Sequence, residues 1–108
     1  DWMYDRRLAP SSLSAIFTRG DSMEPTIPDG ATILVDSSRI EPLDGKIYVI
    51  RIDDRLWVKR VQWIPSGGLR LISDNRTYDS FDISKADLEH DDIQICGQVV
   101  NVSYDFPE

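Results

Sequence analysis

The chain has 108 residues, 41% of them hydrophobic and 29% charged, with 12 Lys+Arg against 19 Asp+Glu for a net charge of −7. This is the balance of one globular domain with a modest core, and it excludes a disordered acidic tail. So negative a surface repels phosphates, which excludes DNA binding by this stretch alone, and no apolar run approaches the roughly 18–20 residues of a membrane helix.

Residues 1–12 read as a linker or tail remnant, and 13–108 as the domain proper. Asp1-Trp2-Met3-Tyr4-Asp5-Arg6-Arg7 has no signal-peptide pattern, and the absence of an initiator methionine suggests a fragment of something longer. The first strand is expected over Leu13 to Thr18, with Ile16 and Phe17 as its apolar residues. Gly20-Asp21-Ser22-Met23-Glu24-Pro25-Thr26-Ile27, followed by Pro28-Asp29-Gly30, is the least ordinary run in the chain. Gly20 permits backbone angles that other residues resist, and Pro25 fixes its own φ while biasing Glu24 away from helix. The run is expected to be a shaped, rigid loop that presents one hydroxyl, that of Ser22.

Ala31 to Asp36 is a strand rich in β-branched residues. Glu41 to Gly45 turns, Lys46 to Ile52 is the next strand, Asp53-Asp54 makes a hairpin turn and Arg55 to Ile64 returns. Pro65-Ser66-Gly67-Gly68 leads into a strand over Leu69 to Ile72, and Asp74-Asn75-Arg76 turns again. Residues 77–92 are polar and acidic, with one helical turn near Ala86 to Leu88. The last strand is Ile93 to Tyr104, with a bulge at Gly97. Strands that recur every 8–15 residues with no long helical period predict an all-β fold, a compact and partly barrel-like set of coiled sheets.

A single cysteine, Cys96, excludes an internal disulfide and fits a reducing compartment, so the domain reads as cytoplasmic. Cys96 and His90 are the only non-carboxylate ligands, so neither a zinc site nor any other metal or cofactor is expected. His90, in Glu89-His90-Asp91-Asp92, reads as a solvated loop residue rather than the base of a Ser-His-Asp triad.

A serine nucleophile needs a base. The chain has three lysines, and Lys46 and Lys85 sit beside turns or in polar loops. Lys59 lies mid-strand, where alternation puts Trp57, Lys59 and Val61 on one face. Two readings of Lys59 stand from the strand alone. In one it snorkels past Trp57 to water. In the other it is desolvated, which lowers a lysine pKa by roughly 3–5 units when complete and makes a neutral amine accessible near pH 7.

Several stretches resemble one family. They are Gly20-Asp21-Ser22-Met23-Glu24-Pro25-Thr26, Asp29-Gly30 leading into Ile33 to Asp36, Asp44 to Val49, Val58-Lys59-Arg60-Val61, Ser73-Asp74-Asn75 and Ile95 to Val100. Val58-Lys59-Arg60 stands with its lysine 37 residues after the serine. The chain resembles the C-terminal Ser/Lys peptidase domain of LexA-like and phage-repressor-like regulators, a core pattern shared with signal peptidases. The resemblance implies an all-β self-cleaving serine peptidase (a hydrolase of transcription regulation and the SOS response). Ser22 would be the nucleophile, Lys59 the general base, and the backbone N–H groups of Asp21 and Ser22 the oxyanion hole. It further implies a homodimer through the Ile93 to Tyr104 region and DNA contact through an N-terminal helix-turn-helix outside this chain. A RecA-type filament is a partner that the residues leave open.

The family cleaves its own chain at Ala-Gly or Cys-Gly upstream of the nucleophile. Here Gly20 follows Arg19, Ala9 precedes Pro10, and Cys96-Gly97 lies downstream in an expected strand. A catalytically silent dimerisation and regulatory domain is therefore the alternative reading. A membrane-bound signal peptidase fits least, since nothing here would hold the chain to a bilayer.

Overall fold

A computed structural model describes residues 12–104. The expected tail, apart from Ser12, lies outside the described residues. The elements are β1 (Leu13–Phe17), β2 (Thr32–Asp36), β3 (Ile47–Ile52), β4 (Arg55–Trp63), β5 (Leu69–Ile72), β6 (Phe81–Ile83), α1 (Lys85–Leu88) and β7 (Ile93–Ser103). All seven strands join one sheet in the order β1-β2-β7-β3-β4-β5-β6, and every neighbouring pair is antiparallel. The fold is all-β as expected, and the sheet stays open, with β1 and β6 as its outer strands.

Consecutive β-branched and aromatic residues put β3 near the middle. Tyr48, Val49 and Ile50 are all 1% exposed or less, so this strand is covered on both faces. On one face Val49 packs with Met23, Ile27, Ala31, Ile33 and Val35. On the other, Tyr48 and Ile50 pack with Val61, Leu69, Leu71 and Ile83. The β3–β4 turn is Asp53-Asp54, with Asp53 at φ 55°, a left-handed value that aspartate tolerates better than most residues.

β7 runs between β2 and β3, so both of its edges are paired. It is longer than either neighbour and slips twice. Against β3 the register passes from Gly97 to Ile95, leaving Cys96 extra. Against β2 it passes from Asn101 to Val99, leaving Val100 extra. The bulge expected at Gly97 thus falls on the adjacent Cys96. Gly97 itself is required by close approach: a Cβ there would stand 2.7 Å from both the Asp36 carbonyl oxygen and Val35 Cγ1. Gly97→Ala is expected to cost about 1–2 kcal/mol through overpacking, measured by urea denaturation. An unchanged midpoint would mean that β2 moves aside freely.

The polar stretch 77–92 hides an element that the sequence reading missed. Phe81-Asp82-Ile83 pairs with β5, matching Leu71 to Phe81 and Leu69 to Ile83. Ile83 is buried there, while Arg70 and Asp82 lie opposite one another as an exposed ion pair with Nε to Oδ1 at 2.8 Å. The helical turn forms close to its expected place, and the Ser84 hydroxyl caps it by accepting the Asp87 N–H at 3.1 Å.

Candidate active site

The loop that carries Ser22 is tied at its base and anchored through its middle. Thr18 N–H donates to the Ala31 carbonyl at 2.8 Å and Gly30 N–H to the Thr18 carbonyl at 3.1 Å, extending the β1–β2 contact by one step. Gly20, at φ 100°, takes the left-handed bend that its lack of a side chain allows, and its N–H donates to Asp29 Oδ1 at 2.7 Å. Met23 and Ile27 are buried in the first core, and Ile27 N–H closes a five-residue turn onto the Met23 carbonyl at 2.9 Å. The Glu24–Pro25 bond is cis. Ser22 is half-buried at the tip of this fixed bend.

Lys59 stands opposite Tyr48 in the β3–β4 register and is 5% exposed. The snorkelling reading is therefore wrong: the side chain does not reach bulk water. Lys46 and Lys85 are exposed, as expected. Burial pushes the Lys59 ammonium below the usual lysine range. Working against that, its Nζ lies 5.8 Å from the Trp57 ring centroid and 6.0 Å from that of Tyr78, contacts that favour the charged form. Among the described residues its hydrogen bond goes to Ser73 Oγ at 2.8 Å, not to Ser22.

Ser22 and Lys59 line the same cavity of about 480 Å³, together with Met23, Trp57, Val58 and Tyr78. A primary hydroxyl and a desolvated amine thus line one partly open cleft. Phe17 and Leu56, both exposed, also border it. β4 pairs with β5 only from Arg60 onward, so on that side the Arg55–Lys59 edge has no strand partner among the described residues.

The turn expected at Asp74-Asn75-Arg76 does more than reverse the chain. In the structure Ser73, Asp74 and Asn75 each hold a different part of the site. Ser73 accepts from Lys59. Asp74 receives Arg60 through Nε at 2.8 Å and Nη2 at 2.7 Å, and it also accepts the Thr26 hydroxyl. The hydrogen-bonded Arg60 guanidinium holds the Asp74 carboxyl below the usual carboxylate range, with partial burial opposing. Asn75 N–H donates to the Ser22 carbonyl at 3.0 Å, and Asn75 Nδ2 to the Asp21 carbonyl at 3.0 Å. Tyr78 completes the segment by donating its hydroxyl to Asp21, which raises that phenol above its ordinary range. A polar triplet directly after an apolar strand was the available signal, but Ser73 and Asp74 meet side chains distant in the chain and Asn75 meets backbone carbonyls, which leave no mark on the sequence.

His90 is exposed, with Nδ1 3.1 Å from Asp92 Oδ2, and it does not line the cavity. Among the described residues no three His, Cys, Asp or Glu side chains converge as a metal set. None of the described helices is long and apolar enough to cross a membrane.

Comparison with known proteins agrees with this geometry. Repressor protein CI of Enterobacteria phage phi80 is 43% identical over 70 residues, 65% of this chain and 30% of that protein. The HTH-type transcriptional regulator PrtR of Pseudomonas aeruginosa is 41% identical over 91 residues, 83% of this chain and 36% of the relative. The 26 kDa repressor protein of Escherichia phage HK022 is 43% identical over 79 residues, covering 72% of this chain and 33% of its own length. The chain thus spans about a third of the length of these curated relatives. The family profile described as Peptidase S24-like matches residues 2–100, and with the serine bend and buried lysine on one cavity the chain belongs to the Peptidase S24-like family.

Proposed function

We propose that this domain is the self-cleaving Ser/Lys peptidase of a repressor, acting on a peptide bond of the longer protein that carries it. The observation that carries the reading is the shared cavity: the Ser22 hydroxyl and the buried Lys59 amine line it together. In this reading the neutral Lys59 amine turns from Ser73 to Ser22 and takes its proton as Oγ attacks the scissile carbonyl. The backbone N–H groups of Asp21 and Ser22 stabilise the developing oxyanion. The intermediate collapses with cleavage of the C–N bond, the Lys59 ammonium returns its proton to the leaving amine, and water then hydrolyses the acyl-serine. The unpaired Arg55–Lys59 edge of β4 can take the substrate as an added strand.

Relatives named as repressors and regulators support a role in transcription, in the cytoplasm, with DNA contacted by a helix-turn-helix elsewhere in the longer chain. Homodimerisation through the Ile93–Ser103 strand uses its face, because both edges are occupied. A RecA-type filament is the proposed external stimulus.

The longer protein should cut itself progressively faster as pH rises through the Lys59 titration, and Ser22→Ala should not cut at all. Fragments are scored by gel and mass spectrometry. Cleavage by Ser22→Ala at the wild-type rate defeats the assignment.

One observation favours a second reading, a regulatory module that does no chemistry: the Lys59 hydrogen bond goes to Ser73. A fluorophosphonate probe separates the two, because a catalytic Ser22 becomes labelled and a silent one does not.

A further inference from the structure

The Asp21 carbonyl accepts two hydrogen bonds, one from Asn75 Nδ2 at 3.0 Å and one from Glu24 N–H at 3.2 Å. That carbonyl belongs to the same peptide unit as the Ser22 N–H. A trans peptide is planar, with its C=O and N–H pointing in opposite directions. Fixing the carbonyl on one side therefore fixes where the Ser22 N–H points on the other. Donors on the carbonyl also polarise the unit, which makes its N–H a stronger donor. The following peptide unit is held as well, since Asn75 N–H donates to the Ser22 carbonyl at 3.0 Å.

The Asn75 amide has one consistent orientation. Its Oδ1 accepts the Thr77 N–H at 3.1 Å and the Thr77 hydroxyl at 2.9 Å, so Nδ2 is the end turned to Asp21. Asn75, 54 positions from Asp21 in the chain, thus holds the peptide units on both sides of Ser22.

We propose that Asn75 is a positioning residue for the reaction: it aims and polarises the Ser22 N–H as the oxyanion donor. This rests on the reading of Ser22 as nucleophile. Asn75 need touch neither substrate nor the Lys59 amine, whose own hydrogen bond goes to Ser73.

The test uses the longer protein and a fluorophosphonate probe. Ser22 Oγ bonds to phosphorus, the P–F bond breaks, fluoride leaves and the serine proton passes to Lys59. The phosphoryl oxygen takes the place of the oxyanion. Wild type should label at Ser22. Asn75→Ala should label about 10–100-fold more slowly, as expected for a displaced donor, with the same pH midpoint because the surroundings of Lys59 are unchanged. An Asn75→Ala rate equal to wild type overturns the proposal. A slowed rate with a moved midpoint also overturns it, since Asn75 would then act through the amine. Asn75→Asp covers the case in which Asn75→Ala does not fold. It keeps the volume and the Thr77 contacts, exchanges the donor for a carboxylate oxygen, and is compared at the high-pH plateau, where its added charge no longer changes the fraction of neutral Lys59. A wild-type plateau for Asn75→Asp overturns the proposal too. Labelling of Ser22→Ala at the wild-type rate, or an inert wild type, sinks the nucleophile reading instead, and the proposal falls with it.

Discussion

Lys59→Met is expected to lower self-cleavage by at least about 10³-fold while making the domain more stable near pH 7. General-base catalysis contributes roughly 10²–10⁴-fold, and a serine hydroxyl without its base is a poor nucleophile. Methionine keeps most of the lysine stem beside Trp57 and Tyr78 and has no ammonium to desolvate. The sign of the stability change follows from the lowered pKa of Lys59 in the folded protein. Between the folded pKa and the unfolded value of about 10.4, the native state binds fewer protons than the unfolded state, so wild-type stability rises with pH. The advantage of methionine is therefore full below the folded pKa and fades as pH climbs toward about 10. Urea denaturation of both proteins near pH 7 and near pH 10 checks this. An advantage that grows with pH would mean that the amine is not desolvated.

Asp74→Ala should destabilise the domain by about 2–3 kcal/mol, less than a fully buried pair would cost because Arg60 is one-third exposed. The variant strands the Arg60 fork, frees the Thr26 hydroxyl and unties the serine bend from β4 in one step. Cleavage should fall with it, since Thr26 sits four residues after Ser22 in the same loop. The acid dependence has the opposite sign to that of Lys59. The Asp74 pKa is depressed by Arg60, so its contribution is present above about pH 4 and is lost as pH falls through the folded value. Wild type and variant should converge in acid. A constant gap down to the lowest pH at which the fold survives would show that packing, and not the ion pair, sets the cost. Arg60→Met combined with Asp74→Ala should cost less than the sum of the two single changes.

The strands β2 to β5 were legible because each announces itself locally. Thr32–Asp36 is β-branched, Arg55–Trp63 alternates, and the Asp53-Asp54 and Gly67-Gly68 turns mark their ends. β6 was not legible: three residues with an aspartate in the middle carry too little pattern, and only their partner β5 makes them a strand. The open sheet could not be told from a partly closed one, since closure is decided by which strands find partners at the ends. In the site, Ser22 and Lys59 stood out by chemistry and spacing. Ser73-Asp74-Asn75 matched the family pattern, but the roles of Ser73 and Asn75 did not show, because Ser73 meets Lys59 across 14 residues and Asn75 works through carbonyl oxygens that every residue owns.

Because β3 is covered on both faces, the two halves of the site rest on different foundations. The serine bend is rooted through Met23 and Ile27 in one layer of packing, and the amine rises beside Tyr48 in the other. Loosening either layer alone would uncouple hydroxyl from amine while most of the sheet still stood. On a heating ramp, catalytic competence would therefore fade before the cooperative melt.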